Sequence, residues 1–128
     1  MSIAVLDSSS VLAVILEEPG AEVVRALTSS QNVISAVNFE EVRTKLIDRG
    51  LRPFEALEAI SKLRLQVEAF TDADAVMASD LRIVTKDVGL SLGDRACLAL
   101  GQRLGALVIT ADRIWKELQV RVRVELIR

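Results

Sequence analysis

The sequence predicts a three-layer α/β/α sandwich around a short, mainly parallel central sheet. Short apolar runs of strand length alternate with longer segments whose apolar residues recur at helical spacing, which is typical of repeated strand–helix units. The run at residues 106–109 is apolar throughout, as expected for a strand that is buried on both faces. A length of 128 residues suits one domain, so we expect residues 1–128 to form a single unit.

The first half of the chain is predicted to alternate strands with helices. In chain order these are a strand at residues 3–6, a helix that ends before Pro19, a helix at 21–29, a strand at 33–34, and helices at 35–49 and 53–65. Pro19 and Gly20 separate the first two helices, and Ser35 is a suitable N-cap for the third. Gly50 ends that helix, and Pro53 suits the first turn of the next.

The second half continues the alternation. Its predicted elements are a strand at residues 67–70, helices at 71–86 and 91–104, a strand at 106–109, a short helix at 112–118 and a strand at 120–126. Thr71 and Ser91 each precede an acid by three residues, which is the pattern of a capping box at a helix start. The last strand alternates apolar with charged residues, so we expect it at a sheet edge with one wet face.

Composition restricts the chemistry that the chain can perform. The formal net charge is −2, and the chain contains no His and one Cys, Cys97. These counts exclude Ser-His-Asp and Cys-His triads, zinc sites that use His, and a disulfide framework. Any reaction must therefore use carboxylates, hydroxyls, or Lys and Arg side chains.

Hydropathy and cysteine content predict a cytoplasmic protein with no membrane association. The mean hydropathy is +0.36, yet no apolar run approaches the ~20 residues of a membrane-spanning helix. The apolar N-terminal stretch lacks a basic segment and contains Asp7, unlike a signal peptide. A lone Cys suits a reducing compartment.

Four acids occupy positions where ligands of α/β proteins gather, at strand ends or helix starts: Asp7, Glu41, Asp94 and Asp112. Because the carboxyl ends of parallel strands meet at one edge of a sheet, we expect these side chains to converge. Converging carboxylates raise one another's pKa unless a cation neutralises them. Oxygen ligands suit Mg²⁺ or Mn²⁺, and such ions can activate water against a phosphodiester.

Each acid also has a purely structural explanation. Asp7 could cap a helix, Asp94 could belong to a capping box, and Asp112 could be a turn or cap residue. Glu41 could form a solvated ion pair with Lys45, four residues further on. Taken one at a time, the acids therefore leave both interpretations open.

Basic residues are concentrated near the C-terminus, where Arg113, Lys116, Arg121, Arg123 and Arg128 outnumber the acids. They could contact the phosphates of a nucleic acid, or they could form the solvated face of an edge strand.

Four segments, in order along nearly the whole chain, resemble the PIN domain. They are Val5-Leu6-Asp7-Ser8-Ser9, then Ile34-Ser35-Ala36-Val37 leading to Glu41-Val42, then the stretch from Leu90 through Gly93-Asp94 to Leu100, and Val108-Ile109-Thr110-Ala111-Asp112-Arg113. Among PIN domains, they are most similar to the VapC-like toxin ribonucleases of bacterial and archaeal toxin–antitoxin pairs.

The resemblance implies an acidic metal-binding quartet made of Asp7, Glu41, Asp94 and Asp112, with Ser9 and Thr110 as supporting residues. It further implies an endoribonuclease that depends on Mg²⁺, or on Mn²⁺ as a substitute, and that cleaves structured RNA such as tRNA or rRNA. A cognate VapB-like antitoxin that blocks the acidic pocket, and a homodimer, are also implied.

Three further residues near the acids bear on how well the sequence matches the family. Glu40 adjoins Glu41, and the following Val42 favours Glu41 as the second acid. Ile114 stands where many relatives carry another acid, and Trp115 follows the last acid at a position that is often aromatic in relatives.

Non-catalytic functions are the alternative. A PIN-like module could bind a metal or a partner without cleaving RNA. A receiver domain is disfavoured because Ser8, rather than a second acid, adjoins Asp7. A phosphatase of the haloacid dehalogenase type is disfavoured because Ser9 occupies the place of its second Asp.

Overall fold

The computed structural model describes residues 2–28 and 31–128, in which five strands form one sheet. The strands are β1 (Ile3–Leu6), β2 (Gln31–Ser35), β3 (Gln66–Glu68), β4 (Leu107–Thr110) and β5 (Arg123–Leu126). Their order is β3-β2-β1-β4-β5, and every neighbouring pair is parallel. The predicted parallel sheet is confirmed, and the C-terminal strand lies at an edge as expected.

Helices occupy most of the chain between the strands. They are α1 (Ser8–Ile15), α2 (Ala21–Leu27), α3 (Ala36–Asp48), α4 (Pro53–Ser61), α5 (Asp72–Asp80), α6 (Arg82–Thr85) and α7 (Leu92–Leu104), with 3₁₀ helices at Lys86–Val88 and Arg113–Glu117. None of the described helices is long and apolar enough to cross a membrane.

Successive strand residues face two separate apolar layers. On one face the sheet packs against α1 to α4 through Ala4, Leu6, Ile34 and Ile109. On the other face it packs against α7 and Trp115 through Val5, Val33, Val108 and Val124. Because neighbouring residues of a strand point to opposite faces, the sheet lies between two helical layers, which confirms the predicted α/β/α sandwich.

Helix α7 lies directly on the central strands because of a glycine. A Cβ atom at Gly101 would lie 2.4 Å from Cγ2 of Val108 on β4. Any larger residue would push the helix away from the sheet, since protein interiors are already close-packed. The position of α7 matters for the site, because Asp94 lies in its first turn.

The predicted boundaries of α4 and β3 are wrong by a few residues. The helix ends at Ser61 rather than near Leu65, because Arg64 adopts a left-handed conformation with φ of 53°. The strand that follows spans Gln66–Glu68 rather than residues 67–70.

Other boundaries also differ from prediction, among them those of β2, which spans Gln31–Ser35 rather than residues 33–34. The predicted helix over residues 71–86 is interrupted at Leu81, a residue buried in the α7-side core, where the chain turns from α5 into α6. The last strand begins at Arg123 rather than at residue 120. Helix α2 ends at Leu27, and the predicted end at Ser29 lies outside the described residues.

The topology fixes where a ligand can bind. From β1 the chain first builds β2 and β3 on one side, and β4 and β5 are later added on the other side of β1. The strand order therefore reverses between β1 and β4. In open α/β sheets, ligands bind beyond the carboxyl ends of the strands at such a switch point, and Asp7 and Asp112 follow these two strands.

Candidate active site at the carboxyl edge of the sheet

Asp7 is the most buried of the four predicted site acids, with 5% of its surface exposed. It is the N-cap of α1, and its Oδ1 accepts a hydrogen bond from the Ser10 amide at 2.9 Å. Its backbone amide donates to the Ile109 carbonyl at 3.2 Å, which joins the end of β1 to β4. The carboxylate is thereby fixed at the switch point of the sheet.

Ser9 and Thr110, the predicted supporting residues, both contact Asp7. The Ser9 hydroxyl lies 2.7 and 2.9 Å from the two carboxylate oxygens, and the Thr110 hydroxyl donates to Oδ2 at 2.5 Å. Thr110 also accepts from the amide of Asp112 at 3.0 Å. One hydroxyl therefore joins the first acid to the loop that carries the last.

Burial raises the pKa of the Asp7 carboxyl above its ordinary value. The hydrogen bonds from Thr110, Ser10 and Ser9 act in the opposite direction, because they stabilise the ionised form. Burial outweighs them, so the ionised carboxylate is held at a cost in free energy that a nearby cation would reduce.

Glu41 faces the site from the second turn of α3. Its Oε1 accepts hydrogen bonds from the Ser8 hydroxyl at 2.6 Å and from Nδ2 of Asn38 at 2.9 Å. Among the ion pairs of the described residues, none joins Glu41 to Lys45. The adjacent Glu40 is exposed and accepts a hydrogen bond from Thr44 instead.

Asp94 completes a capping box and also lies near other acids. Its amide donates to the Ser91 hydroxyl at 3.2 Å, and its Oδ2 accepts from the Ser91 amide at 3.1 Å. Burial raises the pKa of its carboxyl, and the charges of Asp112 and Glu41 raise it further, although the hydrogen bonds with Ser91 lower it. Asp94 is thus close enough to two acids from distant parts of the chain to be repelled by them.

Asp112 is exposed at the N-cap of the 3₁₀ helix over Arg113–Glu117. Its Oδ1 accepts from the Ile114 amide at 3.1 Å, as expected for a cap residue. The structural explanations of Asp7, Asp94 and Asp112 therefore hold, and the structure nevertheless brings these acids to one edge of the sheet.

Three residues around Glu41 were missed by the sequence reasoning: Ser8, Asn38 and Gly93. Nδ2 of Asn38 donates to the Gly93 carbonyl at 3.1 Å as well as to Glu41. A Cβ atom at Gly93 would lie 2.2 Å from Oε2 of Glu41, so the carboxylate packs directly on this glycine. Their one sequence signal is position, since each lies next to an acid or one helical turn from it.

The donor set suits a hard divalent cation. It consists of carboxylate oxygens, the ligands that Mg²⁺ and Mn²⁺ prefer, and the mutual repulsion at Asp94 is what such an ion would relieve. In residues 2–28 and 31–128, however, no three acidic side chains lie close enough to enclose one ion. The acids converge, but their side chains are not in a closed coordination shell.

The basic C-terminal residues are divided between the two edges of the sheet. Arg121 and Arg123 line a cavity of about 500 Å³ together with Ile3 and Leu107, at the amino ends of the strands. This cavity lies at the opposite edge of the sheet from the acids. Arg113, by contrast, follows Asp112 at the carboxyl edge, where its Nε donates to the Arg128 carbonyl at 3.3 Å.

Comparison with known families gives one match that covers most of the chain. The family model described as the PIN domain matches residues 4–120. No curated protein sequence matches the chain significantly.

Solved structures of toxin–antitoxin proteins have a similar fold. The DNA-bound VapBC structure from Salmonella typhimurium superposes with a TM-score of 0.79 at 19% identity, covering 100% of both chains. VapBC-1 from nontypeable Haemophilus influenzae has a TM-score of 0.76 at 17% identity over 98% of each chain. VapC20 from Mycobacterium tuberculosis, a sarcin–ricin loop cleaving toxin, has a TM-score of 0.74 at 18% identity, covering 89% of this chain and 93% of its own.

Proposed function

The chain belongs to the PIN domain family, and from that premise we propose that it is a VapC-like toxin, an endoribonuclease that cleaves structured RNA through an Mg²⁺- or Mn²⁺-dependent acidic site. The observation that carries the proposal is the convergence of Asp7, Glu41, Asp94 and Asp112 at the switch point of the sheet. Burial is the main cause of the raised pKa of the Asp94 carboxyl, and the additional rise from the charges of Asp112 and Glu41 reflects that convergence.

The four acids are assigned different roles in the proposed reaction. Asp7, Asp94 and Asp112 would hold the cation, and Glu41 would complete the shell or orient the attacking water. A bound Mg²⁺ or Mn²⁺ would supply activation of water and neutralisation of phosphodiester charge. Ser9 and Thr110 keep the Asp7 carboxylate in one orientation by donating to its oxygens.

The expected partners follow from the same premise. We propose that a VapB-like antitoxin covers the site, that the protein forms a homodimer, that it acts in the cytoplasm, and that residues 1–128 form one domain. The similar structures include VapBC complexes. Large apolar side chains are also exposed on α4, α5, α6 and the start of α7, which suits protein–protein contact; examples are Phe54, Val76, Ile83 and Leu92.

The direct test is RNA cleavage by purified, partner-free protein with Mn²⁺, compared with the same protein in a chelator. Sequencing of RNA 5′ ends after brief expression identifies the substrate at the same time. We expect cleavage at one or a few sites with the wild type, and a loss of at least about 100-fold with Asp7→Asn.

Asp48→Asn is the matched control, because Asp48 is an exposed acid at the last residue of α3, about two turns beyond Glu41 and at the opposite end of that helix from the site. This variant is expected to cleave as the wild type does. Undiminished cleavage by Asp7→Asn would contradict the proposal. Mn²⁺ binding without cleavage by the wild type would instead support the non-catalytic PIN-like module.

A further inference from the structure

Glu41 is held by three residues that belong to three different helices. We call Ser8, Asn38 and Gly93 the Glu41 clamp. Ser8 adjoins Asp7, Asn38 lies one turn before Glu41 on α3, and Gly93 adjoins Asp94 on α7. The clamp therefore joins the segments that carry three of the four acids.

Asn38 is the centre of the clamp. It is 2% exposed, and its Nδ2 lies 2.9 Å from Oε1 of Glu41, 3.1 Å from the Gly93 carbonyl and 3.4 Å from the Ser8 hydroxyl. The first two neighbours accept hydrogen bonds and have no proton to donate. The amide orientation is thus determined, because a rotated amide would place its oxygen against two acceptors.

The other end of the same amide has no partner. Oδ1 of Asn38 is buried without a hydrogen bond. An unpaired buried carbonyl oxygen costs stability, so a side chain selected for stability alone would pair both ends. All the hydrogen bonds of this side chain are instead donated by Nδ2, to Glu41, to the Gly93 carbonyl and to the Ser8 hydroxyl.

Ser8 and Gly93 complete the constraint on Glu41. The Ser8 hydroxyl and Nδ2 of Asn38 both donate to Oε1, and both carboxylate oxygens lie against the position that a Cβ atom at Gly93 would occupy. The carboxylate therefore faces the first turn of α7, where Asp94 lies, and two donors fix one of its oxygens. A residue with a Cβ at position 93 would displace it.

We propose that Asn38, together with Ser8, is a positioning residue that keeps the Glu41 carboxylate turned toward Asp94 and thereby sets the affinity of the site for a divalent cation. The proposal rests on the proposed function, because it assigns Glu41 to the cation site. Asn38 is not a catalytic residue, because its contacts are with Glu41 and not with the reacting groups.

The test measures Mn²⁺ affinity per folded molecule, for example by electron paramagnetic resonance of free Mn²⁺, and does not depend on cleavage. Asn38→Asp keeps the shape but replaces the donor by an acceptor, and Asn38→Ala removes the amide. Both variants are expected to weaken Mn²⁺ binding about 10- to 100-fold, as for other residues that orient metal ligands. Ser8→Ala should weaken binding as well, and Ser8→Thr, which keeps the hydroxyl, should restore it.

A double-mutant cycle shows whether Asn38 acts through Glu41. In a Glu41→Ala background, Asn38→Ala is expected to change Mn²⁺ affinity by less than about twofold, since the carboxylate it positions is gone. An undiminished effect in that background would overturn the proposal.

Thr85→Val is the control for a merely structural role. Thr85 is fully buried and donates to the Leu81 carbonyl at 2.8 Å, outside the site. This variant is expected to lower the melting temperature without changing Mn²⁺ affinity. If Asn38→Ala does the same, Asn38 is structural and the proposal is wrong. If the wild type cleaves no RNA, but the effect of Asn38→Ala on Mn²⁺ affinity disappears in the Glu41→Ala background, the proposed nuclease function is wrong. The positioning role of Asn38 would still stand in that case.

Discussion

Asp7 caps α1 through the Ser10 amide and also faces the candidate site, and the same double role recurs at Asp94 and Asp112. A cap needs a side-chain oxygen, whereas a cation site needs negative charge. The two requirements can be separated, because Asn also caps helices and carries no charge. Substitution by Asn thus tests the charge, and substitution by Ala removes the cap as well.

The raised pKa values of Asp7 and Asp94 predict how a divalent cation changes stability with pH. In the metal-free protein, ionisation of these carboxyls destabilises the folded state as pH rises from the ordinary pKa of 3.8 toward the raised folded values. At lower pH, protons compete with the cation. We therefore expect Mg²⁺ or Mn²⁺ to raise the melting temperature more at about pH 7 than at about pH 4.5.

Thermal unfolding with and without the cation, at both pH values, checks this expectation. In Asp7→Asn, which lacks one of the buried charges, the difference between the two pH values should shrink. Equal stabilisation of the wild type at both pH values would mean that the acids do not share a cation site.

At the scale of the elements, two helices begin with the same local pattern and use it differently. Thr71 and Asp74 form a capping box on α5, as Ser91 and Asp94 do on α7. Asp74 is buried, and its oxygens accept from Arg103 on α7 at 2.8 and 3.2 Å. The pattern therefore predicts the helix start, and the neighbouring helix decides whether the acid is paired.

The Asp74–Arg103 pair predicts a stability effect with a definite pH dependence. Burial alone would raise the pKa of Asp74. The hydrogen bonds and the charge of Arg103 lower it, and so do the hydrogen bonds with Thr71. The pair therefore stabilises the fold above the ordinary pKa of 3.8, and this contribution is lost as pH falls through the lower folded pKa. Arg103→Ala should cost about 1–3 kcal/mol at neutral pH, because the Asp74 carboxylate loses its partner.

Denaturant unfolding of the wild type and of Arg103→Ala across pH tests this pair. The difference in unfolding free energy should decrease as pH falls below 3.8 and through the lowered pKa of folded Asp74, because the carboxyl then becomes protonated in both proteins. Arg25→Ala is a suitable comparison, because its pair with Glu17 is exposed on both sides and should contribute little. A deficit that is constant with pH would show that Arg103 acts through packing rather than charge.

At the scale of the whole molecule, one sheet lies between two apolar cores, and the same short strands contribute residues to both cores. Val5 and Leu6 are neighbours on β1 and belong to different cores. Unfolding one layer would expose one face of the central strands. The two cores should therefore unfold together, as one domain.

Trp115 offers a direct measure of this cooperativity. It is the only Trp in the chain, and it is 1% exposed in the α7-side core, whereas far-UV circular dichroism reports on helices of both layers. We expect the two signals to give the same denaturant midpoint, as in two-state unfolding. A fluorescence midpoint that differs from the helical one would show that the layers unfold separately and that residues 1–128 are not one cooperative unit.

Local patterns were sufficient to predict the alternation of strands and helices, the caps at Asp7, Ser35, Thr71 and Ser91, and the placement of candidate acids at strand ends. Such features depend on residues within a few positions of one another, so the sequence determines them. The boundary at Ser61 was not predictable in this way, because it accompanies a left-handed Arg64, and no local sequence pattern indicates the break at Leu81 between α5 and α6.

Contacts between distant segments were decided by the tertiary structure alone. These include the strand order and the separation of Arg121 and Arg123 from the acids. The Glu41 clamp has the same origin, because its contacts join three helices, and no local pattern indicates that Ser8, Asn38 and Gly93 meet at Glu41. Their roles arise because a parallel sheet brings the ends of its strands together, and hydrogen bonds then form between residues that the sequence keeps far apart.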